Sequence, residues 1–187
     1  MSVEQNIVMI HGMWGGGWHW EKFKNFFTEK GYKCHTPDLR YHNVAPQAGP
    51  DPRLGTTSLI HYVRDLEDYI KSKAFNTRPI IMGHSMGGLL AQILAARGAA
   101  SALVLLTPAA PAGIFSLHFS VIKTFWPVLF KWNFWKNPHA LQFENFVYGM
   151  MHLMNENDQQ KHYGQCVHES GKAATEIAFW QPATWID

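Results

Sequence analysis

Residues 79–98 read Pro-Ile-Ile-Met-Gly-His-Ser-Met-Gly-Gly-Leu-Leu-Ala-Gln-Ile-Leu-Ala-Ala-Arg-Gly. The apolar run Pro79–Gly83 predicts a buried strand. Met86–Arg97 is apolar on most sides and is stopped by Gly98, which predicts a buried helix. Between them lies Gly83-His84-Ser85-Met86-Gly87, followed by Gly88, a G-x-S-x-G pattern. A chain that doubles back from a strand straight into a helix has no room for side chains two residues either side of the bend. Gly83 and Gly87 meet that need. Ser85, at the bend, is held at strained backbone angles. Its hydroxyl is lifted clear of the sheet edge and set at a helix N-terminus, where N–H groups and the helix dipole favour developing negative charge.

Outward from this stretch the same alternation repeats. Asn6–Ile10 is a short apolar run that predicts a strand ending at His11-Gly12, and Gly12–Gly17 is a loop. Trp18–Lys30 predicts a helix with Trp20, Phe23 and Phe27 on one side and Gly31 as its stop. Tyr32–Thr36 predicts a second strand, and the Pro- and Gly-rich 43–55 a loop. Thr57–Ser72 predicts an amphipathic helix with Leu59, Val63, Leu66 and Ile70 on one face, capped by Thr56 or Thr57. Ser101–Leu106 predicts a fourth strand. Strands alternating with helices imply an α/β fold, a parallel sheet flanked by helices. After Pro111 the texture changes. The stretch from 114 to 180 holds Trp126, Trp132, Trp135 and Trp180 with many Phe and Met residues, shows no clean strand, and predicts short helices forming a cap over the sheet. Two parts follow: a core over 1–112 and a helical cap over 113–187.

A second glycine-rich turn, His11-Gly12-Met13-Trp14-Gly15-Gly16-Gly17-Trp18, also follows a strand and precedes a helix. It lacks the G-x-G-x-x-G spacing of a dinucleotide site and the Gly-Lys-Ser/Thr of a phosphate loop. No cofactor is therefore expected. What the loop can offer is backbone: Met13 N–H and Met86 N–H converge beside Ser85 on a developing oxyanion. Trp14 and Trp18 are candidate pocket walls. His11 and His84 belong to the turns themselves, with side chains expected to hydrogen-bond locally. No H-x-x-x-H or C-x-x-C pair is present, so no metal is expected.

Hydrophobic residues make up 47% of the 187 and charged residues 16%, which excludes a disordered chain and a coiled coil. The net charge of +2 gives no case for nucleic acid. Two cysteines, Cys34 and Cys166, cannot build a disulfide framework, and the reading is cytoplasmic. The N-terminus is polar, without a leader-like apolar run. The most apolar long stretch, Ser101–Phe130, is broken by three prolines and a lysine, so no stable membrane span is expected. Oligomeric state is not legible.

A strand ending in His-Gly, a Gly/Trp-rich loop, and Gly-His-Ser-Met-Gly-Gly some seventy residues later resemble the α/β-hydrolase superfamily. The nearest flavour is the capped serine esterases and lipases, including the plant methylesterase and hydroxynitrile-lyase-like group. The resemblance covers Ile7–Pro108. It implies Ser85 as nucleophile, Met13 and Met86 as oxyanion donors, and His11, Gly12, Gly83, His84 and Gly87 as the elbow and loop that shape the site. Thr36-Pro37-Asp38-Leu39 also fits, while Arg40-Tyr41-His42 replaces the small glycine-containing turn usual there. The implied activity is hydrolysis of an ester or related acyl bond of a fairly apolar small molecule through an acyl-serine.

The resemblance also implies an acid and a histidine after the cap. The chain resembles the first two-thirds of such an enzyme, with base and acid expected beyond residue 187, which leaves open whether residues 1–187 alone are active. His118, His152, His162 and His168, with Glu156, Asp158, Glu169 and Glu176, are read as solvated or cap-packing. Other readings stay open: a non-catalytic ligand-binding module; a cofactor-free haloperoxidase, thioesterase or carbon–carbon hydrolase; and a split or swapped assembly pairing the edge at 101–106.

Overall fold

The computed structural model describes residues 5–114 and 118–186. Residues 1–4, where a polar start without a leader is expected, residues 115–117 and Asp187 lie outside the described residues. Four strands, β1 (Asn6–Ile10), β2 (Lys33–His35), β3 (Ile80–His84) and β4 (Ala102–Leu106), form a parallel sheet in the order β2-β1-β3-β4. The register pairs Ile10 with Gly83 and His84 with Leu106, so the ends of the three longer strands finish level. That common edge is where ligand sites of open α/β sheets lie. Every residue of β1 is buried, as a strand covered on both faces must be.

The helices α1 (Glu21–Glu29), α2 (Leu59–Ser72) and α3 (Met86–Ala96) connect the strands. The predicted helix over 18–30 begins as a 3-10 turn at Gly17–Trp20 before α1. Leu59, Val63 and Leu66 are buried against Leu89, Leu90 and Leu94 of α3 and Val8, Ile10 and Ile81 of the sheet. Trp20 packs on the opposite face with Ile7, Met9 and Met82. The cap of α2 differs from expectation. Ser58, not Thr56 or Thr57, accepts from Ile60 N–H, while the His61 ring accepts from Ser58 N–H at 3.1 Å. A histidine closing a capping box is outside the usual Glu/Gln pattern, so the sequence signal pointed elsewhere.

Beyond Pro111 lie α4 (Phe119–Leu129), α5 (Phe143–Phe146), α6 (Glu156–Tyr163) and α7 (Gly171–Ala178). Two-residue strands β5 (Pro138–His139) and β6 (Glu169–Ser170) pair antiparallel, so the strand-free reading of this stretch is corrected by one short ladder. Trp14, Val128, Phe134, Leu141, Phe146 and Met151 form its core. Ala173 and the flanking Ile177 and Ile186 instead pack on the sheet-side core. Leu103, Val104 and Leu105 of β4, the edge strand of the four-stranded sheet among the described residues, are each 37% exposed.

Candidate functional site

Ser85 sits between β3 and α3 with φ 53° and ψ −122°, a conformation that L-residues adopt only under constraint. The constraint is visible. Ser85 N–H donates to Leu106 O at 3.1 Å. Its carbonyl accepts from Gly88 N–H at 2.9 Å, Leu89 N–H at 3.3 Å and Ala109 N–H at 2.8 Å. A Cβ on Gly83 would overlap the Gly87 carbonyl, and one on Gly87 would overlap the carbonyls of Ile10 and His11. Both glycines are therefore required by backbone contact. Ser85 is half-buried, and its Oγ makes no hydrogen bond with any described residue.

The loop after β1 lies against this bend. A Cβ on Gly12 would stand 3.0 Å from Ser85 Cβ, which places the serine side chain against Gly12, the residue before Met13. Among the described residues the N–H groups of Met13 and Met86 meet no acceptor. Trp14, at φ 59°, packs with Val128, Phe134, Leu141, Phe146 and Met151. Its Nε1 donates to His139 O at 3.2 Å and its carbonyl accepts from Val167 N–H at 2.9 Å. It walls a cavity of about 320 Å³ with Leu141, Phe146, Tyr163, Cys166 and Val167. Trp18, the other candidate wall, does not line this cavity. Its ring lies against His19 and stacks on His162 at 6.0 Å. Cys166 is inert there, its thiol pushed up to about 12 by burial.

His11 is fully buried. Leu39 N–H donates to its Nε2 at 3.1 Å, so Nε2 carries no proton and Nδ1–H donates to Gly12 O at 2.8 Å. Both nitrogens are thus committed to holding the loop, and burial, with His42 next to it, pulls the ring down to about 3. His84, beside Ser85, is lowered by burial.

Residues that sequence reasoning missed surround His11. The His42 ring centroid lies 5.2 Å from that of His11. His42 faces an acceptor on each side: Nδ1 bonds Arg40 O at 3.0 Å and Nε2 bonds Glu169 Oε2 at 3.1 Å. Two acceptors require two protons, so His42 is an imidazolium. The Glu169 carboxylate raises its pKa against the desolvation that opposes charge. Glu169 has no exposed surface. It also accepts from Tyr62 Oη at 2.8 Å and from Ser170 N–H at 2.6 Å, and His42 with these bonds holds it ionised despite burial. Glu176, also buried, accepts from Ser58 Oγ at 2.7 Å and Leu59 N–H at 2.8 Å at the start of α2. The reading of these two glutamates as solvated or cap-packing is therefore corrected: both reach into the 1–112 part. The one available signal was Arg40-Tyr41-His42, where the expected small turn is missing. Arg40 in turn forms a two-point ion pair with Asp65. Among the described residues no three His, Cys, Asp or Glu are grouped to hold a metal.

The buried imidazoles set the acid limit of the fold. His11 is lowered to about 3, and His19 and His139 to about 4, chiefly by burial. The unfolded chain takes up these protons below its ordinary 6.5 and the folded chain does not. Stability therefore falls as pH drops from 6.5, by up to about 1.4 kcal/mol per pH unit per histidine. His42, raised instead, adds nothing further below 6.5. The urea midpoint at pH 5.5 is expected well below that at pH 7.5. Equal midpoints would show that these rings are not buried neutral.

The profile of the alpha/beta hydrolase family matches residues 7–187, and the chain belongs to that family. Methylesterase 18 of Arabidopsis thaliana is 31% identical over 85 residues, 46% of this chain and 31% of that protein. Salicylic acid-binding protein 2 of Nicotiana tabacum is 30% identical over 91 residues, 48% of this chain and 33% of that protein. The match spans about a third of the length of these curated relatives. An extracellular α/β-hydrolase from a Paenibacillus species superposes with a TM-score of 0.70 at 21% identity, covering 88% of this chain and 66% of that one, a likeness of fold.

Proposed function

We propose that this chain carries the nucleophile and oxyanion half of a serine hydrolase for an ester or related acyl bond of an apolar small molecule. One observation carries the reading: the strained, fully tethered backbone of Ser85 at a strand-to-helix bend, with its hydroxyl unbonded beside the loop of Met13. Ser85 Oγ attacks the acyl carbon as its proton passes to a base, and the N–H groups of Met13 and Met86 take the oxyanion; on collapse the acyl C–O bond breaks, the alcohol leaves with that proton, and acyl-Ser85 remains. Such donors act where charge develops, each contributing about 3–4 kcal/mol. Water then hydrolyses the acyl-Ser85. Among the described residues no histidine bonds Ser85 Oγ, so no base is proposed from them. Residues 113–187 serve as the cap, and the Trp14-walled cavity takes an apolar group of the substrate. The relatives' names support ester chemistry: a methylesterase and a pyrethroid hydrolase are among them.

An oxyanion site without its base retains a residual roughly 10³–10⁴-fold advantage over water. A fluorophosphonate probe should therefore label Ser85 selectively, though slowly, as mapped by peptide mass spectrometry, and Ser85→Ala should take no label. Labelling spread evenly over the chain's serines, or none at Ser85, overturns the reading. The unbonded Oγ equally favours a ligand-binding module, which saturable binding of an apolar ester without labelling would select.

A further inference from the structure

We propose that the outer face of α4 docks on an anionic lipid surface. The proposal stands apart from the hydrolase reading. At about 100° per residue, Phe119, Ile122, Lys123, Trp126 and Phe130 fall in one stripe, and Thr124, Phe125 and Val128 in the opposite one. The second stripe faces the cap core: Thr124 and Val128 are buried, and Phe125 packs on Trp14. An ordinary surface helix would turn polar side chains outward. Here Phe119 is 79% exposed, Phe130 66%, Trp126 53%, and Trp132 just beyond the helix 86%. Trp126 and Phe130 lie 3.8 Å apart between centroids, tilted by 31°, and form an apolar patch. Beside it runs a groove of about 340 Å³ floored by Phe119, Ile122, Pro127 and Asn145.

Charge selects the occupant. The sequence has no Asp or Glu from residue 69 to residue 143, while Lys123, Lys131 and Lys136 flank the aromatics. Lys123 lies over the Tyr148 ring at 4.2 Å. A second copy of this face would set lysine against lysine, which like-charge repulsion disfavours. Exposed Trp and Phe beside lysines suit the boundary between acyl chains and anionic headgroups, with Glu144, next to the groove residue Asn145, the acid nearest in sequence. No helix among the described residues is long and apolar enough to cross a membrane, so the contact is peripheral.

The test is co-sedimentation of the 187-residue chain with phosphatidylcholine vesicles, with and without phosphatidylserine. Binding is expected at least about ten-fold tighter to the phosphatidylserine vesicles and weakened by salt. Lys131→Gln with Lys136→Gln should cost about five-fold per lysine. Trp126→Ser with Trp132→Ser, both at exposed positions, should leave the circular dichroism unchanged and abolish binding. The proposal is overturned if the wild-type chain stays in the supernatant, if neutral vesicles bind equally, or if the tryptophan variant still sediments. It is also overturned if sedimentation velocity shows a dimer that the tryptophan variant dissolves without any vesicle binding, which would make the face a contact between copies.

Discussion

Glu169→Ala lowers the unfolding free energy by about 3–5 kcal/mol at pH 6, the scale for unpairing a buried charge. Three partners lose their acceptor at once. The His42 imidazolium keeps its proton on Nε2 with no counter-charge, in a site without exposed surface. Tyr62 Oη and Ser170 N–H are left unsatisfied as well. Glu169→Gln keeps an acceptor oxygen and should cost less. The pH profile carries a sign. His42 has a raised pKa, so its share is complete below its ordinary 6.5 and is lost as pH rises through the raised value. Glu169 has a lowered pKa, so its share is complete above its ordinary 4.5 and is lost as pH falls through the lowered value. The gap between wild type and Glu169→Ala is therefore widest between about 4.5 and 6.5. Urea denaturation across pH measures it. A gap under about 1 kcal/mol at pH 6 would mean that the pair is not ionised.

Gly87→Ala should lower the stability by about 3 kcal/mol or more, at or above the top of the range for ordinary overpacking. The added methyl meets the carbonyls of Ile10 and His11, which are backbone and cannot rotate aside. Relief would require α3 to move off β1, at the centre of the sheet-side core. For a chain of this length the cost corresponds to a fall in Tm of about 6–12 °C. Gly49→Ala is the control: its Cβ would meet nothing within 4 Å, and its Tm should stay at the wild-type value. An unchanged Tm in Gly87→Ala would show a bend looser than the geometry described.

The order of strands and helices through Leu106 was legible because each rests on neighbours in sequence. Apolar runs made the five-residue strands β1, β3 and β4, a 3.6-residue period made α2, and small residues at fixed offsets made the bend at Ser85. The loop of Met13 was legible as backbone for the same reason. Trp14 and Trp18 were not separable, since both are indoles on one glycine-rich turn. Trp14, at positive φ, packs against the 113–187 part, while Trp18 lies along the 3-10 turn against His19.

What the sequence by itself determined, then, is the local frame: a parallel α/β sheet and a serine cramped between glycines at the end of β3. Only the tertiary structure decided which polar groups the 113–187 part delivers to that frame. Glu169 meets His42 across 127 residues and Tyr62 across 107, and Glu176 meets Ser58 across 118. No periodicity or spacing encodes such pairs. A carboxylate in a helical stretch reads as solvated until the chain folds back and removes its water. Its charge is then kept only because the groups it meets are an imidazolium, a phenol and free amide hydrogens.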